Sequence, residues 1–121
     1  MSYCTVEDLV AATGSAYDAV TLQALIDRAD RQIDARLMAA RVGGGGPAVR
    51  EASLSLSIAA LLTRMRVDGT KPSSLAIGGL SMSDNVDSAI AALEAKASGI
   101  IDSYVAQQQE HKRRRAWVRI R

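Results

Sequence analysis

Apolar residues recur at helical spacing through most of this chain. From Thr21 the positions Leu22, Leu25, Ile26, Ala29, Ile33, Leu37 and Ala40 follow the i, i+3, i+4, i+7 rule and define one stripe. The segment 48–68 is less plain, because Ser53-Leu54-Ser55-Leu56-Ser57-Ile58 alternates like a strand while Leu54, Ile58, Leu61 and Met65 also fit a helix. Roughly twenty residues rich in Ala and Leu, with no Gly or Pro inside, outlast an ordinary strand. A helix apolar on most sides is expected, packed between others with its serines at close contacts. A last stripe runs Val86, Ile90, Leu93, Ala97, Ile100 and Tyr104, weakened at Gly99 by about 1 kcal/mol relative to Ala.

The punctuation agrees with these runs. Thr5-Val6-Glu7-Asp8 has the form of a capping box opening a short first helix that ends by Gly14. Asp18 or Thr21 is available to cap the second helix. Gly43 to Gly46 followed by Pro47 stops that helix and starts the third. A phosphate-binding loop would need a following Gly-Lys-Ser/Thr, which is absent. Asp68-Gly69 ends the third helix, Lys71-Pro72 keeps the chain extended, and Ser83 or Asp84 caps the last.

One segment breaks the helical pattern. In Ser74 to Asp84, Leu75, Ile77, Leu80 and Met82 alternate with small or polar residues around Gly78-Gly79, which predicts a β-hairpin over 74–83. The fold expected is mainly α: a small bundle with a short N-terminal helix and three longer ones, and a hairpin between the last two. Beyond Val105 the apolar spacing stops and Gln107-Gln108-Gln109-Glu110 leads into the basic segment, where a helix that continues without a core to hold it is one reading. Ala116-Trp117-Val118-Arg119-Ile120-Arg121 alternates again, so the end is read either as a strand that pairs with another chain or as a disordered tail.

Charge divides the chain at the same place. Six of its fifteen Lys and Arg fall at 112–121, and all thirteen Asp and Glu precede His111. A body of net −4, nine cations against thirteen anions, therefore carries a tail of +6. Such segregation means that the tail meets something negative, or a partner that orders it. Two units follow: a helical domain at 1–110 and a basic docking tail at 111–121.

With no Phe, one Trp and three Tyr, the core must be aliphatic, and small side chains let helices approach closely. The lone Cys4 cannot form an internal disulfide and reads as a small residue near a fraying terminus. No basic leader or long apolar run is present, so a soluble, intracellular protein without membrane contact is expected. Chemistry is thin: one His in the tail, one Cys near the start, and carboxylates spread over helix faces. Asp30 and Asp34 stand one turn apart and could seat a cation or act as acid and base. With Arg28, Arg31 and Arg36 interleaved, they read as a solvated face, where Asp27 and Arg31 form a helix-spaced pair. No enzyme, metal or cofactor is expected.

The order of parts resembles the head-to-tail connector, or head-completion adaptor, family of long-tailed bacteriophages. The likeness rests on Tyr3-Cys4-Thr5-Val6-Glu7-Asp8-Leu9, similar to that family's opening, and on Leu25-Ile26-Asp27-Arg28-Ala29 in the second helix. It extends through the middle helix to Ala76-Ile77-Gly78-Gly79-Leu80-Ser81-Met82-Ser83, similar to the family's hairpin before a final helix. Two departures are Gly79, where many members have an acidic residue, and the tetraglycine linker. The resemblance implies a structural virion protein, made in the host cytoplasm. Many copies, as a dodecameric ring, would sit beneath the portal protein, above a tail-side stopper or tail-completion protein, and extend the channel for genomic DNA.

On that reading Leu75, Ile77, Gly78, Gly79, Leu80 and Met82 form a subunit contact or channel rim. The tail, Lys112, Arg113, Arg114, Arg115, Trp117, Val118, Arg119, Ile120 and Arg121, docks on acidic portal surface with Trp117, Val118 and Ile120 as apolar anchors. Alternatively, twelve tails would bring on the order of seventy positive charges to the DNA channel. A different class, a small nucleic-acid-binding protein using the tail as a basic arm, is opposed by an acidic body and by the lack of a recognition helix rich in Arg, Lys, Asn and Gln. A generic helical scaffold or regulator is the third reading.

Overall fold

The computed structural model describes the backbone of residues 3–13, 17–68 and 86–120. Among the described residues four helices make the fold: α1 (Val6–Thr13), α2 (Ala19–Ala39), α3 (Pro47–Asp68) and α4 (Val86–Ile120). The mainly helical bundle, one short helix and three long ones, is as the periodicity predicts. The hairpin expected over 74–83 lies outside the described residues, and no strand occurs among the described ones.

Helix starts follow the local chemistry. The Asp8 N–H donates to Thr5 Oγ1 and the Thr5 N–H to Asp8 Oδ2, both at 3.1 Å, which closes the capping box of α1. Asp18 caps α2 by accepting from the Thr21 N–H at 3.0 Å. Pro47 stands at the first position of α3, where its missing N–H costs nothing.

The end of α2 corrects the sequence reading. The glycines do not terminate it; Arg41 does, at φ 57. Its N–H bonds Met38 O at 3.0 Å and the Val42 N–H bonds Leu37 O at 2.9 Å, the two bonds of a Schellman cap, with Val42 buried behind them. Glycine normally occupies this left-handed position. Gly45 and Gly46 carry positive φ in the link that follows, and at Gly44 an added Cβ would lie 2.5 Å from Tyr3 Oη and 2.8 Å from Leu37 Cδ1.

The third helix is the middle of the bundle, packing most extensively on α4 and next on α2, while α1 closes one end against α2 and α3. Ser53, Ser55 and Ser57 are all buried, whereas Leu54 and Leu56 are half-buried. The strand-like alternation is thus a consequence of small polar residues placed wherever another helix approaches closely. On α4 the buried stripe is Ala89, Leu93, Ala97 and Ile101, a small rotation from the predicted one, with Ile90, Ile100 and Tyr104 at its flanks.

Two apolar clusters result among the described residues. One gathers Leu9, Leu22, Ile26, Leu61, Leu62 and Leu93, and the other Ile33, Leu37, Val49, Ala52, Ala97 and Ile101. A polar cluster separates them along α2 and α3. Asp30, only 7% exposed, accepts from the Tyr3 N–H at 3.2 Å and from Ser53 Oγ at 2.6 Å. Cys4 Sγ lies 3.3 Å from that same Ser53 Oγ; the single serine proton goes to Asp30, which makes the thiol the donor. Cys4 is therefore not a residue of a loose end: it is 1% exposed, and burial pushes its thiol pKa up. Asp30 is likewise not on a solvated face.

Candidate functional site

Where the last helix leaves the bundle, its composition changes from Ala and Ile to Gln, Glu, Lys and Arg. These are all strong helix formers, so the backbone stays helical without a core beneath it. At 1.5 Å per residue, α4 runs to about 50 Å. From Ala106 to Arg114 only Gln108 is half-buried and every other residue is exposed. Cations near the C-terminus of a helix also interact favourably with its macrodipole. The strand or disordered tail expected from the alternation of 116–121 is thus replaced, through Ile120, by the end of a long helix.

The root of this arm is fastened to the α2–α3 link. Tyr104 Oη donates to Gly43 O at 2.6 Å, and Lys112 Nζ donates to Arg41 O. A step lower, Arg36 bonds both Ser98 Oγ, at 3.0 Å, and the Asp102 carboxylate. Glu110 pairs with Arg114 one turn on, at 3.0 Å. These contacts orient the exit of α4. They are exposed pairs, and their worth is direction more than stability.

Of the nominated tail residues, Lys112, Arg113 and Arg114 are exposed on α4 beside His111. Arg115, Trp117, Val118, Arg119 and Ile120 continue the helical backbone. Arg121 lies outside the described residues, as do Leu75, Ile77, Gly78, Gly79, Leu80 and Met82 of the nominated hairpin. The two candidate sites are therefore not brought together within the described residues.

The Asp30 and Asp34 pair is resolved by its partners. Asp30 serves the buried cluster with Tyr3 and Ser53, and Asp34 accepts the Tyr3 hydroxyl. That bond to the Asp34 carboxylate, with burial and the carboxylate's charge, pushes the Tyr3 phenol up to about 12. Neither carboxylate is turned toward an open site with a second acid. Among the described residues, no group of three or more His, Cys, Asp and Glu is gathered to hold a metal ion. No described helix is long and apolar enough to cross a membrane.

Carboxylates at three helix ends carry lowered pKa values. Asp8 is lowered chiefly by Arg50, 2.7 Å away, Asp18 by Thr21, and Asp68 by the Tyr17 hydroxyl at 2.8 Å. These shifts follow from caps and surface pairs.

What sequence reasoning missed is the polar stitch between the clusters and a cleft over α3. The stitch had a signal: Asp30 sits one turn from Ile26 and three residues before Ile33, inside the apolar stripe of α2. The cleft, of about 590 Å³, is walled by α2 and α4 and had no signal, since it depends on how far apart those helices stand. No protein-family model, curated protein or solved structure matches this chain.

Proposed function

We propose that this chain is a structural virion protein, a connector between the head and tail of a bacteriophage, and that many copies form a ring on the portal. The observation that carries the reading is the overhanging basic helix: a projecting arm with a fixed exit direction has no use inside a free-standing bundle. It suits insertion into a partner.

The helical state of the arm sharpens the docking mode. Trp117 and Ile120 stand three residues apart and Arg113 four before Trp117, the spacing of anchors along one helix face. Helix-in-groove docking with i, i+3 and i+4 anchors is an established recognition mode, and Trp and Arg are the types enriched at interface hot spots. An acidic groove on the portal protein is the partner this arm fits. Genomic DNA passes through the ring, and a tail-side stopper or tail-completion protein lies beneath it. The virion is the site of action and the host cytoplasm the site of assembly. On the same reading, polar substitutions at Leu75, Ile77, Leu80 and Met82 disrupt assembly more than monomer folding.

Deleting residues 111–121 tests it. The truncated chain is expected to keep its thermal unfolding profile and to lose attachment to portal-bearing capsids. Undiminished attachment would overturn arm docking. Exposed His111, Lys112, Arg113 and Arg114 favour one competing reading, a nucleic-acid arm. A salt titration separates it: tight DNA binding by the isolated chain at physiological salt, with a steep salt slope, belongs to the arm on DNA and not on portal.

A further inference from the structure

The cleft over α3 and the outer face of α2 lie on opposite sides of α2. Leu25, Arg28 and Arg36 of α2 form one wall of the cleft, Glu94 and Ile101 of α4 the other, and Ala60 of α3 lines its floor. Arg36 is tied to Asp102, while Arg28 and Glu94 have no partner among the described residues. Among the described residues, the walls thus offer one unpaired cation and one unpaired anion.

Turned away from the cleft, Val20, Ala24, Asp27, Arg31, Ala35 and Met38 succeed one another at three- and four-residue steps and are all exposed. Val20 and Met38, at the two ends, are each 78% exposed. Ala24 and Ala35 leave room for another helix to approach closely. Asp27 and Arg31, one turn apart, present an anion and a cation, the inverse of the pair in the cleft. Asp27 accepts from Gln23 at 2.9 Å, and Arg31 has no partner among the described residues.

We propose that the outer face of α2 in one copy seats in the α2–α3–α4 cleft of a second copy, with Asp27 against Arg28 and Arg31 against Glu94. The two surfaces differ, so the contact is heterologous and leads to a ring or an open chain of copies, not to a two-fold dimer. The inference deepens the connector reading and rests on it for closure of the ring. Self-association through these two faces is its own content.

The experiment uses the full chain. Sedimentation and native mass measurement across a concentration series should show assemblies larger than a dimer. Arg31→Glu and Glu94→Arg should each weaken association by at least about ten-fold, because each places like charges in contact. The double variant should restore it, while circular dichroism shows all three folded. Mixing Ala35→Cys with Ala60→Cys chains should give a disulfide-linked pair under mild oxidation, and neither variant alone should. A chain that stays monomeric throughout, single reversals without effect, or a double variant no better than the singles each overturn the proposal. So does an Ala60→Cys monomer that a thiol reagent cannot label, since the cleft is then filled from within the chain. Arm deletion reads separately: it removes portal attachment without touching these two faces, so failure of one reading is distinguishable from failure of the other.

Discussion

Tyr3 carries two jobs, its N–H to Asp30 and its hydroxyl to Asp34, and it covers the Gly44 site where a Cβ has no room. The phenol is pushed up to about 12 from an ordinary 10.0, so the folded state holds that proton more tightly than the unfolded chain. Its contribution is therefore fully present below pH 10 and lost as the pH rises toward 12. Urea unfolding of the wild type should show this decline, and Tyr3→Phe should flatten it; an equal decline in Tyr3→Phe contradicts the assignment. Asp30→Ala strands the Tyr3 N–H and the Ser53 hydroxyl in a buried place. A loss of about 2–3 kcal/mol is expected in the same assay. A loss below 1 kcal/mol would mean that water replaces the carboxylate. At this scale the caps were legible, since Thr5, Asp8 and Asp18 act within three residues of themselves. The partners of Cys4 and Asp30 were not, because Ser53 is 49 and 23 residues away from them.

Elements were legible where period and length agree. The stripe of α2 was read correctly from Leu22 to Leu37, and α3 was recovered against its own alternation because no strand runs for 22 residues. Alternation misled at 116–121, where six residues are too few to separate a strand from a helix end. Good helix formers upstream decided the matter. The stop of α2 was misplaced because four glycines outrank an arginine as a breaker, yet the left-handed residue is Arg41. A non-glycine residue in that conformation costs about 1 kcal/mol or more, so Arg41→Gly should stabilise the fold by roughly that amount. Gly99→Ala should do the same, since Gly99 is exposed within α4 and an added Cβ meets nothing within 4 Å. Thermal unfolding checks both, and a lowered melting temperature in either variant contradicts the geometry given for that site.

At the scale of the whole molecule, a compact bundle is joined to a projecting arm and α2 has two unlike faces. Composition marks a first division, by charge at residue 111, which falls inside α4. The second was hidden: a cleft exists only once α2 and α4 are set on α3 at their actual separation. Both features suit the proposed role, a subunit that repeats around an axis and reaches a different protein along it. The central claim is that this chain forms a ring on a portal. Native mass measurement with electron imaging, on the free chain and on portal-bearing capsids mixed with it, tests that claim most directly. A closed ring of many copies seated at the portal vertex is predicted; a chain that is monomeric when free and leaves the vertex bare contradicts it.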